Sequence, residues 1–160
     1  MKYQALTLKA PGIARSILIP VVASQSKILC QKFNYEKKEA DVLALIDTGA
    51  TNTSISDRLA SSLELKVIDQ CDVEAAGGIH IADVYMIDIM LRSMVEFTNI
   101  RAAEFKSNDK FDIIIGMDIL IKGDLAITNH DNRTVLSFRV PPDTAHIDFI
   151  EAAKEKKEEL

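Results

Sequence analysis

Apolar positions along the chain recur mostly in short runs and at a period of two. Tyr85, Ile87, Ile89 and Leu91 alternate with Met86, Asp88 and Met90, the pattern of a strand with one buried face. Residues 16–23 and 41–46 are short, apolar and rich in β-branched side chains, with Pro20 marking an edge or bulge in the first. The same reading predicts strands over 27–33, 95–105, 112–115, 125–128 and 134–140. The last two flank the turn signal Asn129-His130-Asp131-Asn132. Residues 72–91 predict a hairpin whose tip carries Gly77-Gly78. A helical period appears only over 56–65, where Leu59, Ala60 and Leu63 share a face behind a Ser56 or Asp57 cap, and over 117–122, closed by Gly123. Pro141-Pro142 ends the pattern, and 145–160 reads as a charged helix of mixed sign. The expectation is an all-β class (mostly β with one or two short helices), a closed barrel or a sandwich-like sheet arrangement over residues 1–142, with a charged helical tail over 143–160.

Composition narrows the function classes. The chain has 160 residues, 48% hydrophobic and 27% charged, with a net charge of −5, a profile of a folded globular domain. Mild acidity, 6% aromatics and no Trp argue against nucleic acid as a partner. No apolar run approaches the roughly 20 residues that span a bilayer, and residues 1–15 are interrupted by Lys2, Lys9, Pro11 and Arg15, so no membrane partner is expected and the expected location is cytoplasmic. Cys30 and Cys71 read as thiols. His80, His130 and His146 lack the spacing of a ligand set, so no metal and no cofactor are expected.

Chemistry concentrates in one string. Ala44-Leu45-Ile46 is an apolar strand that delivers Asp47 into the turn Thr48-Gly49-Ala50-Thr51. A carboxylate placed where the chain leaves a sheet can project into a cleft, and the glycine lets the backbone approach a neighbour. A second apolar run, Ile113-Ile114-Ile115, meets Gly116 and then Met117-Asp118-Ile119-Leu120. Two carboxylates a few Å apart cannot both ionise; sharing one proton, they act as base toward water and acid toward a carbonyl oxygen. The chain contains a single Asp-Thr-Gly, so the partner carboxylate must come from a second copy.

The 45–51 string resembles the active-site signature of retropepsin-like aspartic proteases, and 113–120 resembles their second, hydrophobic-hydrophobic-Gly signature. The resemblance implies a single-lobe acid-protease fold and an aspartic endopeptidase that works as a homodimer on a peptide or protein substrate. It implies Asp47 as the catalytic residue, with Thr48, Gly49 and Ala50 forming the active-site loop and dimer contact. It further implies that Ala76, Gly77, Gly78 and Ile79 form a flap, and that Ile114, Ile115 and Gly116 carry the second strand past the loop. The chain departs from retroviral relatives at Thr51, where they carry an acidic residue. A catalytically weak or inactive peptide-binding dimerisation module on the same fold is the alternative. An Asp-x-Gly phosphate loop of the actin-like ATPase kind needs two lobes, and 160 residues are too few for them.

Overall fold

The computed structural model of the chain describes residues 4–75 and 78–158. Strands β1 (Gln4–Lys9), β2 (Leu18–Gln25), β3 (Glu39–Ile46), β4 (Ser54–Ser56), β5 (Asp69–Ala75), β6 (Gly78–Leu91), β7 (Glu96–Phe105), β8 (Ile113–Ile115), β9 (Asp124–His130) and β10 (Arg133–Val140) carry the fold. Helices α1 (Lys27–Phe33), α2 (Asp57–Ser62), α3 (Met117–Leu120) and α4 (Phe149–Glu158) are short. The large sheet runs β2-β3-β8-β4-β7-β6-β5, and β2 also pairs with β6, so six strands close into a barrel and β5 hangs outside it on β6. A second sheet, β1-β10-β9, packs against the barrel through Leu136 and Phe138.

The barrel interior is an isoleucine core. Ile55, Ile87, Ile89 and Ile113 are fully buried, and Ile115 and Ile119 nearly so. Each such side chain contributes about 2–3 kcal/mol relative to exposure. The alternation predicted for 85–91 is kept, with Tyr85, Ile87, Ile89 and Leu91 all in the core. Asp88, on the polar phase of that pattern, is nevertheless 1% exposed. It lies beside a register shift in the β6–β7 ladder, and its carboxylate accepts the N–H groups of Lys27, at the start of α1, and Asn99, each at 2.9 Å.

That carboxylate explains why residues 27–33, expected as a strand, form α1 instead. Asp88 satisfies a free N–H of the first turn, and Asn34 closes the last turn in the left-handed conformation. Only Cys30 of the segment is buried; Ile28 and Phe33 are 55% and 63% exposed, so its apolar residues do not form a core face. Strand β1 was not visible in the pattern, and it pairs with β10 along its whole length. The β9–β10 turn is tighter than 129–132, with positive φ at Asp131 and Asn132 alone. Cys30 and Cys71 are free thiols. Among the described residues no helix is long and apolar enough to cross a membrane.

Surface carboxylates tie loops to this frame and set its response to acid. Lys106 and the Ser107 amide hold the Asp57 carboxyl well below the usual carboxylate range. Arg101 lowers Asp69, and the Asp143 amide with Arg139 lowers Asp124. Carboxylates depressed in the fold stabilise it fully above their unfolded pKa, about 4, and lose that contribution as pH falls through the folded values. Thermal unfolding should therefore show a melting temperature nearly flat from pH 7 to about pH 5 and falling below about pH 4. In Asp57→Asn the fall should be shallower.

Candidate active site

Strands β3 and β4 lie on either side of β8, so the 47–53 loop joining them must cross the end of β8. Pairing of Ile46 with Ile115 brings the parallel β3–β8 ladder to the last residue of each strand. Asp47 then leaves the sheet with its N–H bonded to Ile115 O at 3.1 Å. Its Oδ1 accepts the Gly49 N–H at 2.8 Å, and its own carbonyl accepts the Ala50 N–H at 3.3 Å. The carboxylate is half-buried, oriented through one oxygen by the turn. Thr48 and Gly49 are exposed at the loop's tip. Among the described residues the Thr48 hydroxyl has no hydrogen-bond partner.

The underside of the loop is fastened to the segment that follows β8. Met117 N–H donates to Ala50 O at 2.8 Å, and Asp118 N–H donates to Thr51 O at 3.2 Å. Between them sits Thr53, with no exposed surface, donating its hydroxyl to Asp118 Oδ1 at 2.8 Å and accepting the Gly116 N–H at 3.3 Å. A Cβ on Gly116 would lie 2.6 Å from Asn52 C and 2.9 Å from Ala50 O. The crossing loop leaves room only for hydrogen there.

These contacts bring together Asp47, Thr48, Gly49, Ala50, Ile115 and Gly116 from the two sequence signatures; Ile114 lies within β8, paired to Leu45 and Ser54. Thr53 and Asp118 were not singled out as site residues. Their signal in the sequence was weak: a hydroxyl among Thr51-Asn52-Thr53-Ser54, and one acid beside the second signature. Of the flap segment, Ala76 and Gly77 lie outside the described residues. Gly78, at φ 106, and Ile79, 72% exposed, open β6 at the hairpin's end. A cleft of about 370 Å3 separates Asn52 of the loop from Cys71 and Val84 of the hairpin, with Asp118 and Lys122 on its α3 side. Among the described residues no three His, Cys, Asp or Glu side chains are grouped to hold a metal.

A family model described as aspartyl protease matches residues 34–119, more than half of the chain and all of the loop and β8 geometry above. The chain belongs to the aspartyl protease family. Membership in that family supports a peptidase activity. Two solved structures are similar to this aspartyl protease chain. One is a retropepsin-like aspartic protease from Rickettsia conorii, 14% identical, covering 88% of this chain and 97% of that one at a TM-score of 0.49. The other is the retroviral protease-like domain of Ddi1 from Leishmania major, 18% identical, covering 79% of this chain and 92% of that one at 0.40. No curated protein compared with the chain matches it.

Proposed function

We propose that the chain is an aspartic endopeptidase active as a homodimer, each copy supplying one Asp47. The observation that carries this reading is the state of Asp47 itself. One carboxylate oxygen is oriented by the Gly49 amide in a loop fastened from beneath, and the chain holds no second Asp-Thr-Gly to complete the pair. Across a two-fold axis the two carboxylates share one proton, so one takes a proton from water while the other gives one to the substrate carbonyl oxygen. The exposed Thr48 hydroxyl is free to bond across the two chains. The substrate is an extended peptide, held as an added strand between the loop and the β5–β6 hairpin, which serves as the flap. Activity then favours mildly acidic pH, above the range in which the surface carboxylates lose their stabilising contribution.

In this reading residues 1–142 are the protease domain and 143–160 an appendage located in the cytoplasm with it. The chain after Pro142 is anchored by Asp143, which ion-pairs with Arg139 at 2.8 Å, and Ile147, Phe149 and Ile150 beyond it are exposed.

Cleavage of a flexible peptide library, measured across protein concentrations and beside sedimentation, tests the proposal. Activity per chain should rise with concentration in step with the dimer fraction and then level off. Constant activity per chain from a monomeric species would overturn the shared site. Peptide retained without product at every concentration and pH would leave only the peptide-capture module.

A further inference from the structure

The floor of the cleft between the Asp47 loop and the hairpin can be read from the ladders. Val84 of β6 lies opposite Ala103 of β7 on one side and Asp69 of β5 on the other. Residues directly opposite in antiparallel strands point the same way, so these three side chains share a face. Alternation adds Arg101 and Cys71 to it, two residues along from Ala103 and Asp69. Tyr85 and Ala102, on the other phase, fill the barrel. The shared face therefore looks away from the barrel core, and Ala103, Val84 and Cys71 leave it low. That is why about 370 Å3 stays open between this floor and Asn52.

The polar groups around that space differ in what they leave free. Asp118 lines it, but its Oδ1 is taken by the Thr53 hydroxyl at 2.8 Å. Arg101 is held by Asp69, 2.6 Å away across the base of the hairpin. Lys122, just past α3, also lines the cleft, and among the described residues it has no ion pair. Nor does the Asn52 side-chain amide have a hydrogen bond among them. The loop residues Thr48-Gly49-Ala50-Thr51-Asn52-Thr53 carry no charge. The cleft thus offers an ammonium and an amide NH2, two donors without acceptors, above an apolar floor. Water serves both while the cleft is open. A hairpin closing over bound peptide expels that water and strengthens whatever charge pairing replaces it.

We infer that this cleft selects an acidic side chain of the substrate, with Lys122 receiving its carboxylate and Asn52 as the second donor. This rests on the endopeptidase reading above and names its substrate class: extended segments with Glu or Asp near the cleaved bond. Asn52 follows Asp47 by five residues and Lys122 stands beyond Asp118, so the acid flanks the reacting bond and is not part of it. In an extended peptide the side chains on one side are about 6.5–7 Å apart, so one such chain can reach the cleft while the bond lies at Asp47. A homodimer carries a second Lys122 across the two-fold axis, and a segment with an acid on both sides of the bond engages both. The net charge of −5 gives no long-range attraction for such a segment. Selection is therefore a contact effect, read in the ratio between substrates that differ at one position.

The test begins with the full chain digesting a random peptide library at about pH 5–6, above the glutamate pKa of about 4.3, and with sequencing of the products. Acidic residues should be enriched at one position flanking the cleaved bond, or at a pair of positions on its two sides. The best-cleaved peptide is then remade with Glu, Gln or Lys at that position. Wild type should show kcat/KM about threefold to fivefold higher for Glu than for Gln, the size of one partly exposed ion pair. Lys122→Glu should reverse the order, cleaving the Lys peptide faster than the Glu peptide. Lys122→Ala should bring Glu and Gln level. Lys32→Glu makes the same change of net charge on α1, away from the cleft, and should keep the wild-type order. Each ratio is taken within one variant, so a shift in its dimer fraction cancels. An active wild type without acid enrichment would overturn this inference and leave the endopeptidase reading standing, as would a Lys122→Glu variant that still prefers Glu to Lys. Should Lys122→Glu be inactive, Lys122→Ala decides, and an undiminished preference for Glu over Gln would remove Lys122 from the contact. A library left uncut at every concentration and pH would overturn the endopeptidase reading and this inference with it.

Discussion

Asp47→Asn should leave the protein folded and dimeric while peptide cleavage falls by about a thousandfold or more. The amide keeps the carboxylate's shape, and its carbonyl oxygen can still accept the Gly49 N–H that Asp47 Oδ1 accepts at 2.8 Å. What it cannot do is take a proton from water. The same variant also reads stoichiometry. Mixed in equal amount with wild type and allowed to exchange, it should capture about half of the wild-type chains in dead heterodimers, halving activity per wild-type chain. A monomeric enzyme would be indifferent to the added variant. Kinetic assay of the variant, with circular dichroism and sedimentation to check its fold and state, and activity of the mixture against the variant's share, are the measurements. An Asp47→Asn protein that cleaves as well as wild type would remove Asp47 from the chemistry altogether.

The fold was legible wherever a segment has one wet and one dry face. Residues 85–91 alternate because one phase fills the barrel, and 113–115 read as an apolar run because Ile113 and Ile115 fill the core while Ile114 is half-buried on the other face. Legibility failed where stability comes from caps and partners rather than from burial. Residues 27–33 have strand-like composition, yet the information that makes them helical sits sixty residues away in Asp88, and in the left-handed Asn34. Strand β1 is only half-covered, and what defines it is the β10 ladder, a non-local pairing that no window of the sequence contains.

The candidate site divides along the same line. Asp47, Thr48 and Gly49 announce themselves because a carboxylate at the end of an apolar strand and a turn glycine are local chemistry. Their support does not. Thr53 looks like any loop hydroxyl until the β3-β8-β4 order is known; then it is the buried bridge between the loop and Asp118. The Asp of Asp88 and that of Asp118 likewise read as surface acids, and both are instead acceptors for groups brought in from other elements.

Gly116→Ala should be a severely destructive single-methyl change at the candidate site. Adding a methyl usually costs less, because a side chain nearby rotates away. Here the nearest atoms are backbone: Asn52 C at 2.6 Å, Asn52 O at 2.7 Å and Ala50 O at 2.9 Å. The strain is not torsional, since Gly116 is extended at φ −94, a conformation alanine adopts freely. It is the crossing of the 47–53 loop over β8 that has no space. Relieving it means lifting the loop, and that stretches the Met117–Ala50 and Asp118–Thr51 bonds and the Thr53 bridge together. A cost of about 3 kcal/mol or more is expected, the upper end of overpacking, against a total stability of about 5–15 kcal/mol for a domain. Gly12 is the control, because a Cβ there meets nothing within 4 Å. Denaturant unfolding should show Gly12→Ala near wild type and Gly116→Ala with a sharply lowered midpoint. Any Gly116→Ala protein that stays folded should have lost activity beyond its loss of stability, because the loop that must yield is the one that aims Asp47. Equal midpoints for the two alanine variants would mean that the loop does not press on β8, and that Asp47 is held by something other than this crossing.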